Sequence, residues 1–144
     1  LKEIGAGNPV IVHQNLGFSW FPKWHYAVVV GYNLQRNVII LHSGKTKFQE
    51  LSFTVFSKTW ERSNKWGIVV VPPGKLSPTS KEQDLVEESA ILEKLSFTDE
   101  AQKSYEAILK KWPESYPSLV GLGNILYSKG EFEASVKAFE EAIK

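Results

Sequence analysis

A short apolar segment rich in β-branched residues constrains the fold of this chain more than any other feature. It covers residues 24–32 and reads Trp-His-Tyr-Ala-Val-Val-Val-Gly-Tyr. Because it is too short for a helix of ordinary length, it predicts a buried strand. His25 stands at the entrance of that strand, where the backbone can hold an imidazole steadily enough for proton transfer. The same position also suits a structural histidine bonded to a carbonyl oxygen.

Other short apolar runs flank this segment and predict further strands of a small sheet. Gly, Asn and Pro separate the runs, and a short segment that carries Trp60 predicts a helix before the last of them. We expect Trp60 and Trp66 to be core residues that pack this helix on the sheet. The runs span residues 9–12, 37–44, 47–53 and 66–73.

The order of these elements and the His-Tyr-Ala-Val-Val-Val-Gly-Tyr run resemble the papain-like cysteine peptidases of the bacteriocin-processing type. The resemblance covers about residues 4–73 and corresponds to the C-terminal, sheet-bearing half of that peptidase domain. It implies a thiolate nucleophile that a histidine activates and an acid or amide orients. His25 matches the histidine, and Ser43 stands where the family has its orienting residue.

Two of the three catalytic roles of such a peptidase lack their usual residue in this sequence. The chain contains no cysteine, and residues 1–74 contain no aspartate. By resemblance, the nucleophile would lie on an earlier helix, in a missing N-terminal half of the peptidase domain. The chain begins with Leu, contains no Met and ends inside a helical pattern, so we expect it to be a piece of a longer protein.

Aromatic residues cluster just before His25 and predict the lip of a substrate cleft. Trp20, Phe21 and Trp24 belong to this cluster, and His42 is a neighbour of the same predicted rim. The alternative interpretation is a small buried core under the connection from residue 14 to residue 24.

The hydrophobic period changes near residue 74, and this change predicts a domain boundary. Residues 72–80 contain three prolines and a glycine, which block a continuing strand or helix. We therefore assign residues 1–74 to the sheet domain, 75–82 to a linker and 83–144 to a helical domain. Helical spacing predicts four helices near residues 83–95, 98–112, 117–129 and 132–143.

The helical part contains an internal repeat. Ala101 and Tyr105 recur as Ser135 and Phe139 with an offset of 34 residues, which is the period of tetratricopeptide repeats. The resemblance to that family implies two helical hairpins, in which Gly123 allows close helix packing and Gly130 ends a helix. It also implies a concave groove for a peptide or protein partner. The groove would be lined by Val120, Asn124 and Tyr127. Val120 stands where the family uses a lysine to clamp C-terminal carboxylates, which argues against that ligand.

Taken together, these patterns predict an α+β protein. An antiparallel β-sheet of a papain-like half-domain is followed by an all-α array of tetratricopeptide-repeat hairpins. Two functions remain open. One is a peptidase fragment in which His25 serves a cysteine that this chain lacks, so that the chain alone is inactive. The other is a non-catalytic adaptor or scaffold with a degenerate peptidase-like domain.

Charge and composition argue against several other classes of function. Residues 1–74 hold eight basic residues and three glutamates, a net charge of +5, while the remainder carries −4. The basic residues are scattered rather than clustered with aromatics, which argues against nucleic-acid binding. No apolar stretch approaches the length of a membrane span.

We expect no cofactor and no metal. His13, His25 and His42 lie on strands predicted to be adjacent, which would allow a zinc site, but their spacing is not that of metal ligands. By resemblance, peptidases of this kind with repeats occur in bacteria and often act at the cell envelope.

Overall fold

The computed structural model describes residues Leu1–Lys144, and its first unit, Leu1–Val71, contains a five-stranded antiparallel sheet. The strand order is β4-β3-β2-β1-β5. Two helices belong to the same unit, α1 (Lys2–Gly5) and α2 (Phe53–Glu61). The strands are β1 (Val10–Asn15), β2 (Trp24–Asn33), β3 (Val38–Ser43), β4 (Thr46–Ser52) and β5 (Gly67–Val69).

The apolar segment of residues 24–32 forms most of β2 at the centre of the sheet. Alternation along this strand directs Ala27 and Val29 to one face, where both are almost fully buried. Val12 of β1 and Leu41 of β3 join them there, and Phe56 of α2 packs against the same cluster. The core of the first unit therefore lies between one face of the sheet and α2.

The two short hairpins around β3 fix the position of Ser43. A two-residue turn at Gly44 and Lys45 joins β3 to β4, with Ser43 paired to Thr46. Gly44 has φ +57°, a conformation that a residue without Cβ adopts readily. Ser43 is therefore the last residue of β3, and its Cα partner across the sheet is Ala27 of β2.

Trp60 and Trp66 do not share one environment. Trp60 is half-buried and packs against the core cluster, and its indole N–H donates to the Trp66 carbonyl oxygen at 2.8 Å. Trp66 itself is exposed and lies against the rings of His13 and Tyr26. The prediction of a core position was wrong for Trp66, because the chain turns before β5 and leaves this residue on the outer side.

The second unit, Pro72–Lys144, consists of four helices. The predicted helices are confirmed to within one residue at each end, and the α+β class is confirmed with them. They are α3 (Glu82–Lys94), α4 (Thr98–Lys111), α5 (Tyr116–Ser128) and α6 (Phe132–Ala142). None of the helices in the structure is both long and apolar enough to cross a membrane.

Glycines on α5 allow close packing on two sides of that helix. A Cβ added at Gly123 would lie 2.5 Å from Cε1 of Phe139 on α6, so a larger residue would force the ring to move. A Cβ at Gly121 would overlap the ring of Tyr105 on α4 in the same way. Gly130 ends α5 with φ +78°. Helix α5 therefore packs through a glycine against an aromatic ring on each neighbouring helix: Gly121 against Tyr105 of α4, and Gly123 against Phe139 of α6.

The first prediction concerns this packing. Gly121→Ala should destabilise the second unit by about 1–3 kcal/mol, because the Tyr105 ring must move to admit the methyl group. The ring has little freedom to move, since its hydroxyl donates to Glu93 Oε2 at 3.1 Å. Thermal unfolding followed by helical circular dichroism measures the effect.

Asn124→Ala is the matched control for this substitution, because Asn124 lies on the exposed side of the same helix. We expect it to change stability by less than about 0.5 kcal/mol. Equal melting temperatures for the two variants would contradict the packing account.

Candidate active site

His25 and Ser43 meet at one end of the sheet. His25 is the second residue of β2 and lies on the same face as Ala27, because residues two apart on a strand share a face. The imidazole Nε2 and the Ser43 Oγ are 2.7 Å apart, although the residues are 18 positions apart in the chain. Both side chains are half-buried. The pairing of β2 with β3 creates this contact.

The contact distinguishes the two ring nitrogens, because Nε2 faces Ser43. When Ser43 Oγ accepts a hydrogen bond from Nε2–H, the neutral ring carries its lone pair on Nδ1. Nδ1 is then the atom that can accept a proton from a nucleophile. A serine hydroxyl orients the ring in this way but adds no negative charge, whereas a carboxylate would also stabilise the imidazolium.

Gln14 supports the sheet next to His25. It is the Cα partner of His25 on β1 and is 1% exposed. Its side-chain amide donates to Thr59 Oγ1 at 2.7 Å, and Thr59 Oγ1 in turn donates to the Phe56 carbonyl oxygen. This bond ties α2 to the strand beside the candidate site. Gln14 was not among the site residues expected from the sequence, although it continues the buried face of Val10 and Val12, where a polar residue signals a specific partner.

The three carboxylates of the first unit have partners other than His25. Glu3 is buried and accepts from Asn8 Nδ2 at 2.8 Å. Glu50 forms an ion pair with Arg36 at 2.5 Å, and Glu61 forms one with Lys65 at 3.1 Å. Ser43 is therefore the side chain that the structure places on the His25 ring.

Two of the residues assigned to the substrate cleft, Trp24 and His42, do not meet His25. Trp24 precedes His25 on β2 and stacks on His13 with ring centroids 4.9 Å apart. His42 precedes Ser43 on β3, and its Nδ1 accepts the backbone N–H of Phe48 at 3.2 Å. Alternation directs both side chains to the face of the sheet opposite His25. The structure therefore separates Trp24 and His42 from the His25–Ser43 pair.

Trp20 and Phe21 lie on the loop between β1 and β2. Their side chains are 81% and 71% exposed, so the alternative of a small buried core is wrong for them. Their ring contacts are with each other, at 6.2 Å, and between Trp20 and Phe18, at 5.6 Å.

The three histidines do not form a common metal site. His13 stacks on Trp24 and Tyr26, His25 contacts Ser43, and His42 accepts from Phe48. No group of three or more His, Cys, Asp or Glu side chains in the structure is placed to hold a metal ion.

In the second unit, the three predicted groove residues share one side of α5. Val120 is half-buried, while Asn124 and Tyr127 are exposed. The spacing of four and three residues places them on one helical face. The ring of Tyr127 contacts Phe132 of α6 at 5.5 Å.

A polar depression of about 310 Å³ lies on another part of the second unit. Lys129 Nζ donates to Asp99 Oδ1 at 2.5 Å and to Gln102 Oε1 at 2.6 Å, and these bonds join the end of α5 to α4. The hydrogen bond and charge of Lys129 lower the pKa of Asp99.

On the same helix, burial raises the pKa of the Tyr105 hydroxyl, and the Glu93 carboxylate adds to the rise.

Comparison with known proteins bears on the first unit. Residues 1–68 match the model of the Peptidase_C39 like family. These residues form a peptidase C39-like domain. Comparisons with curated proteins and with solved structures find no match. The matched residues contain both β2 with His25 and β3 with Ser43, so the candidate pair lies within the peptidase C39-like domain.

The second prediction concerns the orientation of His25 in this peptidase C39-like domain. Ser43→Ala removes the hydroxyl beside Nε2, which accepts a hydrogen bond from the ring in its Nε2–H tautomer, so the Nδ1–H share of the neutral ring should rise. Ring-nitrogen NMR chemical shifts at alkaline pH measure the tautomer directly. Ser57→Ala, at an exposed position of α2, is the control and should leave the shifts unchanged. Unchanged shifts in Ser43→Ala would show that the hydroxyl does not orient the ring.

Proposed function

We propose that His25 is the general base of a cysteine peptidase-like site whose nucleophile lies outside these 144 residues. The observation that carries the proposal is the 2.7 Å contact between Nε2 and Ser43 Oγ. It occupies one ring nitrogen and leaves Nδ1 for a thiol, which is the division of roles that an activated nucleophile needs. The match of residues 1–68 to the Peptidase_C39 like family supports the same class of chemistry.

The proposed reaction uses this chain for proton transfer alone. Nδ1 of His25 accepts the thiol proton, and the thiolate attacks the peptide carbonyl carbon to form a carbon–sulfur bond. The imidazolium then gives that proton to the leaving amine as the peptide bond breaks. Water next attacks the thioester with His25 again as base, which releases the acid and restores the thiol. Ser43 accepts from Nε2–H throughout.

The chain has no cysteine, so it needs a partner segment to complete the site. We propose that this segment is an N-terminal half of the peptidase domain, docked on the face of the sheet that carries His25. Neighbouring positions of that face already hold α2 through the Gln14–Thr59 bond, so the docking surface is the part around the half-buried imidazole. The isolated chain is therefore expected to be inactive.

The third prediction tests the catalytic role on the full-length gene product. A peptide that carries a thiol-reactive electrophile should label a cysteine, and His25→Ala should slow labelling by about 10²-fold or more. His42→Ala is the matched control, because it removes an imidazole from the opposite face and should change the rate by less than about twofold. Rapid labelling that does not depend on His25, or no labelling at any pH, would refute the peptidase role.

A second function has its own supporting observation. Ser43 offers a neutral hydroxyl where an acid would stabilise the imidazolium, and α5 exposes Asn124 and Tyr127 beside the half-buried Val120. An adaptor would use the helical unit, resembling tetratricopeptide repeats, to dock a peptide or protein partner and would need no chemistry.

The fourth prediction tests this docking face. Peptides selected by display against the whole chain should bind Tyr127→Ala at least about tenfold more weakly, because exposed aromatic residues contribute most to such interfaces. Asn124→Ala should weaken binding less, and Glu133→Ala on α6 should leave it unchanged. Selected peptides that bind all three variants equally would place their contacts elsewhere and contradict the proposed groove.

A further inference from the structure

The loop between β1 and β2, residues 16–23, exposes three aromatic side chains to solvent. We call this loop the aromatic loop. Phe18, Trp20 and Phe21 are 62%, 81% and 71% exposed. Their rings contact one another in the order Phe18–Trp20–Phe21, so they form one continuous apolar patch. Single exposed apolar residues are common, but a contiguous patch marks an interaction site.

The aromatic loop is held firmly at its base. Asn15 is 2% exposed, and its Oδ1 accepts the backbone N–H groups of Gly17 and Lys23, both at 2.9 Å. Its Nδ2 donates to the Phe18 carbonyl oxygen at 3.3 Å. The buried Asn15 side chain thus joins both ends of the loop, at Gly17 and Lys23, to Phe18 near its tip.

Two further sets of bonds complete this support. The backbone N–H of Leu16 donates to the carbonyl oxygen of Lys23, and Phe18 and Phe21 exchange two backbone bonds. Arg62, just after α2, donates to the Gly17 carbonyl oxygen at 2.7 Å. The rings are therefore displayed by a structured loop, which lowers the entropy cost of binding.

Two basic residues, Lys23 and Arg62, lie at the base of this loop. Lys23 ends the loop itself, and the Arg62 guanidinium lies against its backbone. Lys58 lies one helical turn before Arg62, and it is exposed. Glu61 is the acidic neighbour, and it is paired with Lys65. The patch of rings therefore projects from a cationic base.

We propose that the aromatic loop binds the surface of an anionic lipid bilayer. Trp and Phe are the side chains that settle at the boundary between headgroups and acyl chains, and basic residues beside them are attracted to anionic headgroups. A peptide cleft is the competing role for Trp20 and Phe21, but the ring contacts of these residues lie within the loop rather than with His25. This proposal does not depend on the peptidase role.

Co-sedimentation of the whole chain with vesicles tests the proposal. Vesicles of phosphatidylcholine mixed with phosphatidylglycerol should bind the chain, vesicles of phosphatidylcholine alone should bind it far more weakly, and added salt should weaken binding. The double variant Trp20→Ala/Phe21→Ala should lower the partition coefficient by about tenfold or more, from the loss of two inserted rings. Lys23→Gln with Lys58→Gln should lower it by about threefold or more.

Phe48→Ala is the matched control, because Phe48 is an aromatic residue of the same unit with 67% exposure on a different hairpin. This substitution should leave the partition coefficient within about twofold of the wild-type value. Trp20→Phe should keep vesicle binding but lose much of the blue shift in tryptophan emission that insertion causes. Because the substituted rings are exposed, the melting temperatures should stay unchanged, which separates lost binding from misfolding.

Three results would overturn the proposal. The chain could fail to bind anionic vesicles, it could bind both kinds of vesicle equally, or the double variant could bind as well as the unchanged chain. If the double variant instead slows labelling of the full-length protein by a peptide electrophile while vesicle binding persists, the loop is the lip of a peptide site. Loss of vesicle binding with labelling intact supports the lipid role alone.

Discussion

The antiparallel pairing of β2 with β3 is the interaction on which the candidate site depends. It buries Val29 against Leu41 in the core and, two residues earlier on β2, pairs Ala27 with Ser43. The same register brings Nε2 of His25 to 2.7 Å from the Ser43 hydroxyl. A slip of one residue would direct His25 to the opposite face and expose the core residues. The hydrophobic core therefore fixes the geometry of the polar pair.

Much of the fold follows from patterns that the sequence displays. The apolar run of β2 predicts the central strand, and the helical spacing predicts α3 to α6 to within one residue. Period is a strong signal because it reflects which face of each element is buried. The two glycines on α5 differ in how far their packing could be predicted. Gly123 was expected to allow close packing from its place in the repeat. The contact of Gly121 with Tyr105 depends on how α4 and α5 pack, which the repeat pattern does not give.

The site was harder to predict than the fold, for physical reasons. The Gln14–Thr59 bond joins residues 45 positions apart, and no local pattern encodes such a pair. Trp24 and His42 are adjacent in sequence to the candidate residues, but alternation along the strands sends them to the other face. The exposure of Trp20 and Phe21 depends on the bonds that Asn15 makes to the loop, which composition alone cannot reveal.

The central claim is that His25 presents Nδ1, and not Nε2, to a cysteine thiol. A crystal structure of the full-length gene product trapped with a peptide electrophile tests it most directly. The labelled sulfur should lie within about 4 Å of Nδ1 while Nε2 keeps its bond to Ser43. A sulfur beside Nε2 in place of Ser43, or an imidazole covered by side chains with no cysteine near it, would contradict it.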